Sequence, residues 1–388
     1  MIVLKPAIWV KSLSDFYLLD LELQGLCKQY QIFNNIIFLQ ENSQDLLRIS
    51  HLDYIQNKKT HYSQFVEEFN SLNNYSFHGL VPFKGKFYPR IARAIINNFA
   101  LNEKDWIIDP FCGSGTTNLE AQLMGINSVG LDISFYSYFI SKLKLELINL
   151  NHRKMNFTTE EIKSIFSSIN KGEFKIDNEL MNSLLLFTFL DVKDMQSRLR
   201  VKKGLFYLFK TKLEKIVDSI KKTKEILDLN NIFPGQALIL NENALNCKKI
   251  FKKKFDAIIT SPPYFFSLNY LNRNKFFNQY FGINEFHEEK HQLGRFTSNY
   301  YTTYEKSFQF ELGKALEAFN EIIKEKGKLA IIMGNSNFKG KVIDNCHYIL
   351  KKGKDLGWKK IRFFTNPILG KNTKNIFHEK IILFQREN

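Results

Sequence analysis

The chain of 388 residues is 44% hydrophobic and 24% charged, which suits an ordinary soluble fold of one large or two moderate domains. Lysine and arginine exceed aspartate and glutamate by 55 to 39, a formal +16, and such an excess favours a polyanionic partner through phosphate neutralisation. Four scattered cysteines (Cys27, Cys112, Cys247, Cys346) without a C-x-x-C pair, histidines without an H-E-x-x-H pair and a longest apolar stretch of only Leu184 to Leu190 argue against a structural metal site, a disulfide framework and a membrane span.

Residues 1–75 read as a small α/β accessory unit. It has a short strand at Ile8-Trp9-Val10, helical spacing from Asp15 to Tyr30, a strand at Ile36 to Leu39, and a polar connection through Lys58, Lys59 and Asn70 to Ser76. The rest of the chain, 76–388, begins with a helix over Ile91 to Phe99 and a buried strand at Trp106 to Asp109. A glycine loop, a helix over Thr116 to Met124 and a strand at Ser128 to Asp132 follow. Strand, glycine loop, helix and strand ending in an acid form the first half of a nucleotide-binding, doubly wound α/β sheet. Residues 136–233 read as a helical insertion. Strands return at Ala237 to Leu240, Phe255 to Thr260, Gly327 to Met333, Trp358 to Phe364 and Lys380 to Phe384, with a helix over Phe308 to Lys324. No N-terminal segment has the order of a signal peptide, so a reducing cytoplasm is expected.

Two strings carry chemistry. The first is Asp109-Pro-Phe111-Cys-Gly113-Ser114-Gly115-Thr116-Thr117, followed by Glu120 and by Gly130-Leu-Asp132. Glycines let the backbone approach a ligand, and a helix N-terminus attracts a carboxylate or phosphate. Asp132, ending the second strand, is placed to accept from a ribose diol. Taken alone, such a loop is equally a tight turn of any α/β domain. It lacks both G-x-G-x-x-G and the Gly-Lys-Ser/Thr of a P-loop.

The second string is Thr260-Ser261-Pro262-Pro263-Tyr264. Two prolines stop the strand and fix the backbone, which holds the Ser261 hydroxyl and the Pro262 carbonyl as set acceptors. Two acceptors suit an exocyclic amine, because binding its N–H groups draws the nitrogen lone pair out of ring conjugation. Tyr264 is placed to stack on an extruded base. A bare Pro-Pro strand end is the alternative.

Together, D-P-F-C-G-S-G-T-T followed by T-S-P-P-Y resembles the amino-methyltransferase family of DNA-modifying enzymes, over roughly residues 78–386. The resemblance implies a Rossmann-like methyltransferase sheet and S-adenosylmethionine as cofactor, with no metal. By the same resemblance Asp109, Phe111, Gly113, Ser114, Gly115, Thr116 and Thr117 would cradle the methionine part. Asp132 with Ile133 would take the ribose, and Asn243 would stand where the family often has an acid near the adenine. Lys86 belongs to Lys86-Phe-Tyr-Pro89, similar to the family's segment that closes over the cofactor. Ser261, Pro262, Pro263 and Tyr264 would be catalytic, and serine first usually marks cytosine N4 rather than adenine N6. DNA is the implied partner, and a cognate restriction enzyme is a further one.

In the insertion, basic residues outnumber acidic ones between Lys193 and Lys224, with Phe206, Tyr207 and Phe209 interleaved. Lys202, Lys203 and Lys210 are the candidate phosphate contacts, and a solvated helix surface is the alternative. No Pro-Cys pair exists, so the nucleophile of ring-carbon cytosine methylation is absent, and Cys112 reads as a packing residue. Pro82-Phe83 and Pro89-Arg-Ile-Ala-Arg93 also resemble tRNA guanine-N2 methyltransferases, which makes RNA the second candidate substrate. A catalytically silent DNA-binding subunit is the third reading.

Overall fold

A computed structural model describes residues 2–33, 36–39, 44–83, 85–151, 155–173, 178–199, 203–263, 275–283, 301–338, 341–366 and 376–387 of the protein. The strands are β1 (Ile2–Leu4), β2 (Tyr30–Phe33), β3 (Ile36–Leu39), β4 (Tyr54–Ile55), β5 (Lys58–Lys59), β6 (Trp106–Asp109), β7 (Asn127–Leu131), β8 (Ala237–Leu240), β9 (Phe255–Thr260), β10 (Ile323–Phe338), β11 (Lys341–Ile343), β12 (Trp358–Asn366) and β13 (Ile376–Arg386). The helices are α1 (Leu13–Leu26), α2 (His61–Phe69), α3 (Pro89–Asn98), α4 (Thr116–Leu123), α5 (Phe135–Glu146), α6 (Thr159–Lys171), α7 (Glu179–Leu199), α8 (Leu205–Leu229), α9 (Cys247–Ile250), α10 (Lys275–Tyr280), α11 (Tyr301–Ile322) and α12 (Asn345–Asp355).

The main sheet runs β12-β13-β10-β9-β6-β7-β8, with β11 paired to β10. Strands β8, β7, β6, β9 and β10 are parallel, and β13 inserts antiparallel between β10 and β12. From β6 the chain winds outward to β7 and β8, then returns to place β9 on the other side of β6. The switch point therefore lies between β6 and β9, where a doubly wound sheet opens its ligand crevice at the carboxyl ends of the strands. Buried apolar runs explain why these strands are central. Ile107, Ala257 and Ile259 face one core with Ile91 and Ile95 of α3, while Ile108 and Ile258 face the other with Leu312, Leu316 and Phe319 of α11.

The amino-terminal elements press against this frame. Glu22 is fully buried on α1, where its two oxygens accept from the Ser50 and His51 backbones, the Ser50 hydroxyl and the Asn97 amide of α3. Arg362 of β12 reaches back to Asp20 of α1 at 2.6 Å. The strand expected at Ile8-Trp9-Val10 is not formed. The segment turns, with Val10 N–H donating to Ala7 at 2.9 Å, because Ser12 caps α1 immediately afterwards. The polar connection expected near Lys58 and Lys59 holds a hairpin strand and then α2, whose N-cap Thr60 accepts from Ser63 N–H. The insertion reads helical in the structure as in the sequence, with α5 to α8 building a cluster of their own around Leu185, Phe189, Phe209 and Leu213. Among the described residues no helix is long and apolar enough to cross a membrane.

Candidate active site

Asp109 closes β6 and is 1% exposed. Its Oδ1 accepts from Phe111 N–H at 3.1 Å, which starts the turn into the glycine loop. Gly113 stands at φ +50° and Gly115 at φ +72°, in the left-handed region that a side chain rarely adopts. A Cβ on Gly113 would meet the Phe83 ring at 3.4 Å, and one on Gly115 would come within 2.9 Å of the Ser141 Cβ. The loop is thus shut between Phe83 above and α5 behind, and only glycine fits. Gly115 then caps α4, with Thr116 and Thr117 buried in its first turn.

Asp132 follows β7 and stands opposite the loop. Its Oδ2 accepts from Gly113 N–H at 2.9 Å and its Oδ1 from Ser134 N–H at 2.9 Å. Asn241, after β8, donates to the Asp132 and Ile133 carbonyls at 2.9 and 3.0 Å. Asn243, singled out from the sequence, spends its Oδ1 on Leu245 N–H instead, while Asn241 does the stitching.

The second motif leaves β9, the strand beside β6. Thr260 is fully buried, and its hydroxyl donates to Asp109 Oδ1 at 2.6 Å. One hydrogen bond therefore joins the two strings across 151 residues of sequence. Ser261 is half-buried, Pro262 buried and Pro263 half-buried at the mouth of the same crevice. Tyr264 lies outside the described residues.

Residues 8–142 match the family model described as DNA methylase. The chain belongs to the N6/N4 DNA methylase family. A Type II methyltransferase, M.BsoBI of Geobacillus stearothermophilus, is 26% identical over 300 residues, covering 60% of this chain and 59% of that protein. A second, M.MjaII of Methanocaldococcus jannaschii, is 43% identical over 77 residues, covering 20% of this chain and 14% of that protein. A tRNA (guanine(10)-N2)-dimethyltransferase, also of Methanocaldococcus jannaschii, is 31% identical over 87 residues, 22% of this chain and 25% of that protein. The chain thus spans about three-fifths, or less, of the lengths of these relatives.

Membership of the DNA methylase family brings S-adenosylmethionine as the cofactor, and the residues fit it. Asp109 and Asp132 flank the glycine loop as carboxylates, a donor set that repels a polyphosphate and suits a cationic ligand with a sugar diol. The Ser114 hydroxyl is buried without a hydrogen-bond partner inside that loop.

Behind the methylase loop are groups that sequence reasoning passed over. Lys144 of α5 is 1% exposed and donates to the Ser114 carbonyl at 3.0 Å; burial, with Lys86 nearby, holds its ammonium well below its ordinary range. Lys86 itself donates to the His78 carbonyl at 2.9 Å, and burial pushes it down to about 8. Its ammonium thus lies on the backbone of the preceding turn, and it is Phe83 that touches the loop. Glu120 on α4 holds that turn: Oε1 lies 2.7 Å from His78 Nε2 and takes the Tyr75 hydroxyl, while Oε2 accepts from Arg93 Nε at 2.7 Å. Thr260 was readable as part of the motif, and Glu120 as part of the string. Lys144, amid apolar helix positions, gave no sign.

Among the proposed phosphate contacts, Lys203 is exposed with its ammonium 4.8 Å from the Tyr207 ring centre. Lys210 is paired with Glu214 at 3.6 Å, one helical turn on. Lys202 lies outside the described residues.

Proposed function

We propose that the protein transfers a methyl group from S-adenosylmethionine to the exocyclic amine of a base in DNA, at cytosine N4. The observation that carries this reading is the Thr260–Asp109 bond, which sets the end of the Ser261-Pro262-Pro263 string beside the glycine loop on adjacent parallel strands. When bound, S-adenosylmethionine supplies an electrophilic methyl group on a sulfonium. Asp109, Gly113 to Thr117 and Asp132 with Ile133 hold it, with Phe83 closing the loop from above. The Ser261 hydroxyl and the Pro262 carbonyl accept the two amine hydrogens, which localises the lone pair on nitrogen, and Tyr264 stacks on the base. The rate comes from placement and hydrogen bonding in a closed crevice, and the proton leaves late, to Ser261 or water. Lys203, and Lys202 and Lys210 beside it in sequence, contribute phosphate contacts on the insertion. A cognate restriction enzyme is the partner expected with such an activity, as the names of two relatives suggest.

A second reading, a tRNA guanine-N2 methyltransferase, draws on the 31% identity to the archaeal dimethyltransferase and on Pro89 to Arg93. Its weak point is Ser261, where such enzymes usually carry aspartate.

Single-turnover methyl transfer to DNA and to tRNA, with mass spectrometry of the product nucleosides, tests the assignment. We expect N4-methylcytosine from DNA. In Ser261→Ala, losing one positioned hydrogen bond lowers the rate by on the order of 10²–10³ while cofactor and DNA still bind. Full activity in Ser261→Ala removes the motif from the mechanism. A methylated adenine overturns the choice of base, a methylated guanine in tRNA promotes the second reading, and no transfer at all favours a silent DNA-binding subunit.

A further inference from the structure

Eleven residues of sequence, 264–274, separate Pro263 from α10, and α10 is seated on the insertion rather than on the sheet. Its Phe277 is 2% exposed and shares a buried cluster with Ile162, Leu185, Phe189 and Phe209, all of them insertion residues. On α7, Asp194 Oδ1 accepts from Phe276 N–H at 3.2 Å. The neighbouring Lys193 places its ammonium 5.1 Å from the Phe189 ring and 5.3 Å from the Phe276 ring. The amino-terminal half of α5 completes the seat, with Phe277 5.0 Å from Tyr136 and 5.1 Å from Phe139, and Phe281 5.4 Å from Phe135. Phe135 is three residues after Asp132, so the seat also touches the cofactor side of the crevice.

We infer that the helical insertion anchors the return of the base-holding loop, with Asp194 and Phe277 as positioning residues for methyl transfer. The inference rests on the proposed role of Ser261 to Tyr264. A loop pinned at β9 alone samples many placements of its acceptors, whereas a second fixed end removes most of that freedom before the base arrives. The seat has features that a mere surface contact lacks. It buries a whole aromatic ring. It also keeps a carboxylate in a desolvated place, where burial, with Asp191 adding to it against the Phe276 N–H bond, pushes Asp194 up to about 6. A solvated helix surface would retain neither.

The test compares full-length wild type with Asp194→Ala, Asp194→Asn, Phe277→Ala and Phe277→Leu. Single-turnover transfer to DNA is measured alongside calorimetric cofactor affinity and thermal unfolding. Displacing acceptors by about an ångström costs on the order of 10²-fold, the loss expected for Phe277→Ala, with about tenfold for Asp194→Ala. Asp194→Asn, which keeps an acceptor oxygen, recovers most of the rate, and cofactor affinity stays at the wild-type value throughout. Phe277→Leu, with an intermediate loss, serves if the alanine variant does not fold. Wild-type rates in folded Asp194→Ala and Phe277→Leu overturn the inference while leaving the proposed function standing. A wild type that binds cofactor and methylates neither DNA nor tRNA removes the reading of the loop, and the inference with it.

Discussion

Asp109 and Glu120 are both fully buried, one at the end of β6 and the other on the helix that the same loop begins, yet their protons behave oppositely. Burial raises Asp109 to about 6, because Thr260 and the Phe111 N–H are its partners and no cation stands against it. Burial works against Glu120 too, but the Arg93 guanidinium, His78 and Tyr75 outweigh it and hold the carboxyl at about 2. Glu120 is a settled ion in a closed network, and its task is to fix the turn that carries Phe83. Asp109 is left short of positive charge at the one place where a cationic ligand is expected. A buried carboxylate is cheap where the fold supplies its counter-ion and costly where the counter-ion must come from outside.

The contrast is open to direct attack. Glu120→Gln leaves Arg93 charged, buried and unpaired, and breaking such a pair costs about 3–5 kcal/mol; the midpoint of urea unfolding reads it. An unchanged midpoint would mean that the network is ornamental. Asp109→Asn should act through pH. The folded carboxyl holds its proton up to about 6 against an ordinary 3.8, so its stability contribution is complete below about pH 4 and is lost as pH rises towards 6. The asparagine variant lacks that slope. Relative to wild type it should gain about 3 kcal/mol between pH 4 and pH 7, because each pH unit separating the folded from the unfolded carboxyl is worth about 1.4 kcal/mol. Unfolding free energies of the two proteins across that range check the sign, and parallel curves would contradict it. Asp132→Ala sharpens the comparison from the other side of the loop. It removes acceptors for the ribose and for Gly113 N–H, worth about 1.5–3 kcal/mol, and should weaken S-adenosylmethionine by roughly 10- to 100-fold with the fold intact. Calorimetric titration measures it, and unchanged affinity would place the ribose elsewhere.

These charges were only partly legible in the sequence. The glycine loop, Asp132 and the Pro-Pro stop are local devices, each written in a few consecutive residues, and the structure brings them to one crevice. The sheet strands were legible because their apolar runs are long. The short strands of the first forty residues were harder: Ile8 to Val10 is apolar but turns, since a helix cap four residues after Ile8 commands the backbone. Pairings between distant residues leave no local mark, so Thr260 with Asp109, Glu22 with Asn97 and Lys144 with the Ser114 carbonyl emerged only in three dimensions. Asn241 and Asn243 are alike in sequence, and only the turn after β8 decides which of them reaches Asp132.

The place of the insertion has a consequence for synthesis. β6 and β7 leave the ribosome as a parallel pair whose inner edge is filled only by β9, with 151 residues between Asp109 and Thr260. At about 5–20 residues per second that edge stays open for roughly 10–30 s. During that interval α5 to α8 can close their own local contacts, so the nascent chain would hold a finished helical bundle beside an unfinished sheet. Any holdase acting on this protein would find its target in the bare flank of β6, in the time before Thr260 is made.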